Sequence, residues 1–94
     1  MKYYRGWIST PIEDHVPAST EKAICLTIAG GFTAANDTRE WFPKSQILIG
    51  EPNEVGNAEI LIPMWLLKRK GIDRRRIREV EIYNGENDVV ERDR

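Results

Sequence analysis

Trp41-Phe42-Pro43-Lys44-Ser45-Gln46-Ile47-Leu48-Ile49 decides how this chain is read. Its aromatic and β-branched residues favour an extended chain on a half-buried pleated surface. Pro43 interrupts that preference, because proline fixes φ near −65° and has no N–H for a ladder. Residues 39–50 therefore read as a strand with a kink or tight corner over 42–45, and regular pairing resumes at Gln46.

Upstream, residues 23–29 form the clearest strand, with Ile24, Leu26 and Ile28 on one face and Cys25, Thr27 and Ala29 on the other. Gly30-Gly31 stops or bends it, and 32–38 reads as a hairpin loop. Residues 2–10 are rich in Tyr, Trp and Ile and give a first strand, with Gly6 marking a bulge or a close backbone approach. The two prolines and the acidic residues of 11–20 predict a surface loop.

Downstream, 51–57 is a turn and 58–62 its partner strand. Ile47 and Ile49 are expected on the same face as Ala58, Ile60 and Ile62. Pro63 suits the first position of a helix. Residues 64–70 carry helix formers with cations in the last turn, and Gly71 is the left-handed cap. Asp73 caps a polar turn over 73–76. Residues 78–83 alternate as a last strand with Val80 and Ile82 inward, and Asn84-Gly85 is a strong hairpin signal. A short return strand at Val89-Val90 and a frayed acidic tail over 84–94 both remain open.

Five strands with a helix before the last predict a mainly β fold, a small five-stranded SH3-like or OB-like barrel. A plain α+β sheet is the third architecture. Ninety-four residues support a single domain spanning 1–94. The net charge of −1 gives no global pull towards nucleic acid or membrane. That total hides a basic run: Lys68, Arg69, Lys70, Arg74, Arg75, Arg76 and Arg78 are seven of the fourteen Lys and Arg residues. An acidic end follows it.

One cysteine excludes an internal disulfide and a multi-cysteine zinc site, so Cys25 reads as a buried, inert thiol. No signal peptide or membrane span is evident, which predicts a cytoplasmic protein. His15 stands beside Glu13 and Asp14, but adjacency in a loop is not how a catalytic triad is built. No glycine turn has the context of a phosphate loop. The expectation is a non-enzymatic protein without metal or cofactor.

Two groups remain as candidate binding residues. Trp41, Lys44, Ser45 and Gln46 sit at the predicted corner. Trp65, Lys68, Arg69, Lys70, Arg74, Arg75, Arg76 and Arg78 would make a positive patch beside the helix end, able to track phosphates while an aromatic stacks on bases. The competing reading has these cations complementing the helix C-terminus and pairing with the acidic tail. Trp7, Trp41 and Trp65 are read first as anchors of a small barrel's core, and one exposed beside Phe42 or Phe32 would instead be a partner hot spot.

Trp41, Pro43, Lys44, Ser45 and Gln46, followed by Trp65, Leu66, Lys70 and Gly71, resemble a motif of small phage and mobile-element proteins. There a Trp-x-Pro-Lys-Ser-Gln sequence precedes a short Trp-Leu helix ending in Lys-Gly. The resemblance covers about a third of the chain and implies a compact protein of an infected cell's cytosol. Small size, that origin and the absence of catalytic groups together motivate the leading expectation: a host protein complex as partner, with inhibition of a nucleic-acid-acting defence complex such as CRISPR. A nucleic-acid-binding accessory of phage replication or recombination is the alternative.

Overall fold

Ile24, Leu26 and Ile28 all enter one core, as the two-residue period of their strand predicts. The structure, a computed structural model, describes residues 1–83 and 88–93. Within these, seven strands make two antiparallel sheets. The three-stranded sheet has the order β2-β3-β4, with β2 at Ala18–Ser19, β3 at Ala23–Ile28 and β4 at Thr38–Pro43. The four-stranded sheet has the order β5-β6-β1-β7, with β1 at Lys2–Ser9, β5 at Leu48–Pro52, β6 at Asn57–Pro63 and β7 at Val89–Glu91. A helix, α1 at Met64–Lys70, follows β6 directly.

The mainly β expectation holds, but the barrel is not closed. The chain leaves the three-stranded sheet at Pro43, whose carbonyl accepts from Gln46 N at 3.0 Å. Ile47 then drops into the core, and β5 begins at Leu48 in the other sheet. The two halves of 41–49 therefore serve different sheets instead of one kinked strand. β4 and β5 do not pair with each other, so that side stays open.

The opposite side is stitched by residues 76–81. Arg78 N donates to Thr27 O at 3.1 Å, and Glu81 exchanges two backbone hydrogen bonds with Trp7 at 2.9 and 3.1 Å. These are isolated bridges, Ile28 to Ile77 and Trp7 to Glu81, and not a ladder. The predicted last strand over 78–83 is thus an irregular connection. Val80 is buried as expected, whereas Ile82 is 41% exposed and not inward. Val80 packs directly over Gly6, where an added Cβ would fall 1.7 Å from Val80 Cγ1. Gly6 is the close approach its place in β1 suggested.

The 11–20 loop contains the short strand β2, which pairs with Ile24 and Cys25. Val89–Glu91 does form a return strand on β1, and the Met1 amine holds Glu91 at 2.8 Å. The Asn84-Gly85 hairpin signal lies outside the described residues.

Core side chains come from both sheets and from Leu66 and Leu67 of α1. Each buried Ile or Leu contributes roughly 1.5–3 kcal/mol relative to exposure. The large aromatics of the interior are Tyr3, Tyr4 and Phe42, while Trp41 and Trp65 are 44% and 42% exposed. Ile49 pairs with Ile60, yet its edge strand leaves it 40% exposed. Pro63 is the N-cap and not the first helical residue. Gly71, at φ +70°, donates to Lys68 O, and Ile72 N donates to Leu67 O, the left-handed stop expected there.

Candidate nucleic-acid interface

Alternation along β4 separates its residues by chemistry. Phe42 is fully buried in the core, and Glu40 lies 3.3 Å from Lys70 Nζ at the end of α1. Arg39, Trp41 and Pro43 take the other face and are exposed. Register fixes their neighbours: Arg39 opposite Thr27, Trp41 opposite Cys25, Pro43 opposite Ala23, and Ala18 of β2 beyond Cys25. Among the described residues, no strand residue on this outward face carries a carboxylate, although Glu79 of the 76–81 segment accepts from Thr27 N at 2.9 Å.

The corner after β4 adds to that face. Lys44 N donates to Lys22 O at 2.8 Å, which ties the turn to the start of β3. Lys22, Lys44 and Ser45, together with Glu21 and Pro43, line a shallow concavity of about 480 Å³. Among the described residues, the side chains of Lys22, Arg39 and Lys44 enter no ion pair or hydrogen bond. Gln46 is placed by its turn bond to Pro43. The corner group therefore stays together, and the fold brings Lys22 and Arg39 to it.

The basic run behaves differently. Lys70 pairs with Glu40, Arg74 with Asp88, Arg75 with Asp73 at 3.7 Å, and Arg78 with Asp37 at 2.8 Å. Asp73 also caps its turn by accepting from Arg75 N. Lys68, Arg69 and Arg76 keep unpaired side chains among the described residues. Arg76 lies away from α1, because its carbonyl accepts from Ala29 N at 2.7 Å at the base of the β3–β4 hairpin. Trp65 borders a separate, mostly apolar groove of about 380 Å³ with Met64, Leu67, Lys68, Ile72, Asp73 and Arg74.

The sequence did not single out Lys22, Arg39 or Phe32. Lys22 becomes a neighbour of the corner only through the β3–β4 register, whereas Arg39 shares a face with Trp41 by alternation within β4. The connection between the strands is nine residues long, so its Gly30-Gly31 pair could not fix that register as a two-residue hairpin would. Phe32 is fully exposed at the hairpin tip.

His15 is exposed at the end of the 3₁₀ turn Ile12–Asp14. Burial pushes the Cys25 thiol above its ordinary pKa. Among the described residues, no group of three His, Cys, Asp or Glu side chains is placed to hold a metal ion, and no helix is long and apolar enough to cross a membrane. No protein-family model matches the chain, and neither a curated protein nor a solved structure matches it.

Proposed function

We propose that this chain is a non-enzymatic binding module that takes single-stranded nucleic acid on the outward face of β2-β3-β4. The observation that carries the reading is Trp41, 44% exposed, standing between Arg39 on one side and Lys44 with Lys22 on the other, cations unpaired among the described residues. An exposed aromatic on a sheet offers a stacking face to an unpaired base, worth about 1–3 kcal/mol per base, and flanking cations neutralise the phosphates. A duplex keeps its bases stacked and offers no such partner.

The net charge of −1 does not oppose this. Screening limits a charge's reach to about 8 Å at physiological ionic strength, so the local face governs binding. The architecture is then an SH3-like or OB-like small barrel opened between β4 and β5. The test is fluorescence anisotropy with labelled single-stranded DNA and RNA. Trp41→Ala should weaken binding by roughly 5- to 150-fold while leaving the fold intact. Unchanged affinity in that variant would remove Trp41 from the site.

The groove beside α1 favours a second reading, a protein partner. An apolar floor of Met64, Leu67 and Ile72 with a half-exposed Trp65 and the unpaired Lys68 suits an acidic, apolar segment. The resemblance to phage proteins would make that partner a host defence complex. Trp65→Ser should then release such a complex without altering oligonucleotide affinity, an outcome that separates the two surfaces.

A further inference from the structure

Phe32 is the most exposed large apolar side chain among the described residues, yet the loop that carries it is heavily constrained. Gly30 N donates to Asp37 Oδ1 at 3.2 Å. Asp37 N donates to Ala34 O at 3.1 Å and Asn36 N to Thr33 O at 3.3 Å, which forms a 3₁₀ turn over Ala34–Asn36. The Arg78 guanidinium grips both Asp37 oxygens, at 2.8 and 3.2 Å.

Two glycines make this geometry feasible. A Cβ on Gly30 would lie 1.8 Å from the Asn36 carbonyl oxygen, and Gly31 sits at φ +130°. The base of the hairpin is held from the side by Ala29 N on Arg76 O. An apolar ring left in water on a constrained loop loses little freedom when it binds, which is what an anchor requires.

The loop also lies at the far end of the same hairpin. From the corner towards the tip, the chain presents Lys44 with Lys22, then Trp41, then Arg39, then the loop bearing Phe32. Arg76, whose side chain is unpaired among the described residues, flanks the hairpin base through its carbonyl. Cations and aromatics thus alternate along a single hairpin. We infer that Phe32 is a second base-stacking residue, so that the site runs from the Lys22–Lys44 concavity along β4 to the hairpin tip. This rests on the nucleic-acid reading and assigns it a length. Short strands would engage Trp41 alone, and longer ones would reach Phe32 as well.

The test compares labelled oligo-dT of about 4 and about 16 nucleotides, the span of site sizes for small single-strand-binding folds. Phe32→Ala removes a side chain that packs on nothing, so it should leave the thermal transition unchanged. It should weaken the longer oligonucleotide by roughly 5- to 150-fold and leave the shorter one unaffected. Phe32→Trp should retain that affinity, and Phe32→Leu, apolar without a ring face, should not. Trp41→Ala should weaken both lengths.

If Phe32→Ala binds the longer strand as the unsubstituted protein does, the inference is wrong while the reading at Trp41 stands. If Phe32→Leu binds as well as the natural residue, the contact is not stacking and the inference also fails. If neither oligonucleotide binds the unsubstituted protein, both fall, and the exposed ring belongs to a protein contact.

Discussion

The Asp37 carboxylate meets the Arg78 guanidinium at 2.8 and 3.2 Å, joining the β3–β4 loop to the segment that stitches the two sheets. The hydrogen bonds from Arg78 hold the Asp37 carboxyl below the usual carboxylate range. A carboxyl whose folded pKa is depressed stabilises the fold above its unfolded pKa, and that contribution disappears as pH falls through the folded value. Protection of the Gly30 amide, which donates to Asp37, measured as its exchange rate against the intrinsic rate at the same pH, should therefore be high at neutral pH and drop in acid. Asp37→Ala, which removes the acceptor, should show low protection at Gly30 at every pH. High protection in that variant would mean that the loop is held by its backbone bonds alone.

Gly6 and Val80 define a second tight junction. A Cβ on Gly6 would fall 1.7 Å from Val80 Cγ1, and the β-branched Val80 is buried with few rotamers to escape into. Gly6→Ala should cost about 1–3 kcal/mol in urea unfolding, the usual range for overpacking. Val80→Ala removes both methyls, so the double variant should lose less than the sum of the two singles. Strict additivity would show that the strain lies elsewhere.

These junctions mark where the sequence was legible and where it was not. The period of Ile24, Leu26 and Ile28, and the stop at Gly71, are local signals that local structure obeys. The Pro43 corner was legible as a break, but its outcome, a change of sheet, depends on which strands lie beyond it. Val80 and Ile82 shared an alternating pattern, yet the chain at 76–81 follows the space over Gly6 instead of a ladder. The basic run looked like one patch because its neighbours in sequence are basic. Its partners Asp37 and Glu40 are distant in sequence and invisible to that reading.

Charge reversal separates the two sets of cations. Lys22, Arg39 and Lys44 contact about three phosphates in the proposed site, which for a single strand predicts a log–log salt slope near −2. Reversing these three to Glu should abolish oligonucleotide binding. Reversing Lys68 and Arg69 should leave both the affinity and the slope as they were. The opposite pattern in an anisotropy titration across salt would move the site to the end of α1.

The Tyr3 hydroxyl is buried and has no hydrogen-bond partner among the described residues. A buried polar group without a partner costs about 1–3 kcal/mol relative to one that is satisfied. Tyr3→Phe removes the group and keeps the ring, so its unfolding midpoint should rise or hold. A clear loss of stability would reveal a bonded hydroxyl, bridged by water.

Tyr4 should set the alkaline limit of the fold. Burial, reinforced by the nearby negative charge of Asp88 and only partly offset by Arg74, raises its pKa from 10.0 to about 12. A phenol whose folded pKa is raised favours the native state while it is neutral. That contribution is complete below pH 10 and is lost as pH climbs towards 12. About two units correspond to roughly 2–3 kcal/mol by the usual conversion. Stability measured by urea should therefore fall across this window, and a phenolate absorbance titration should show a late-ionising phase that Tyr4→Phe removes. In Tyr4→Phe that part of the decline should vanish. If the variant loses stability over the same window as the natural sequence, the alkaline sensitivity originates in another group, such as Tyr83, whose pKa burial also raises.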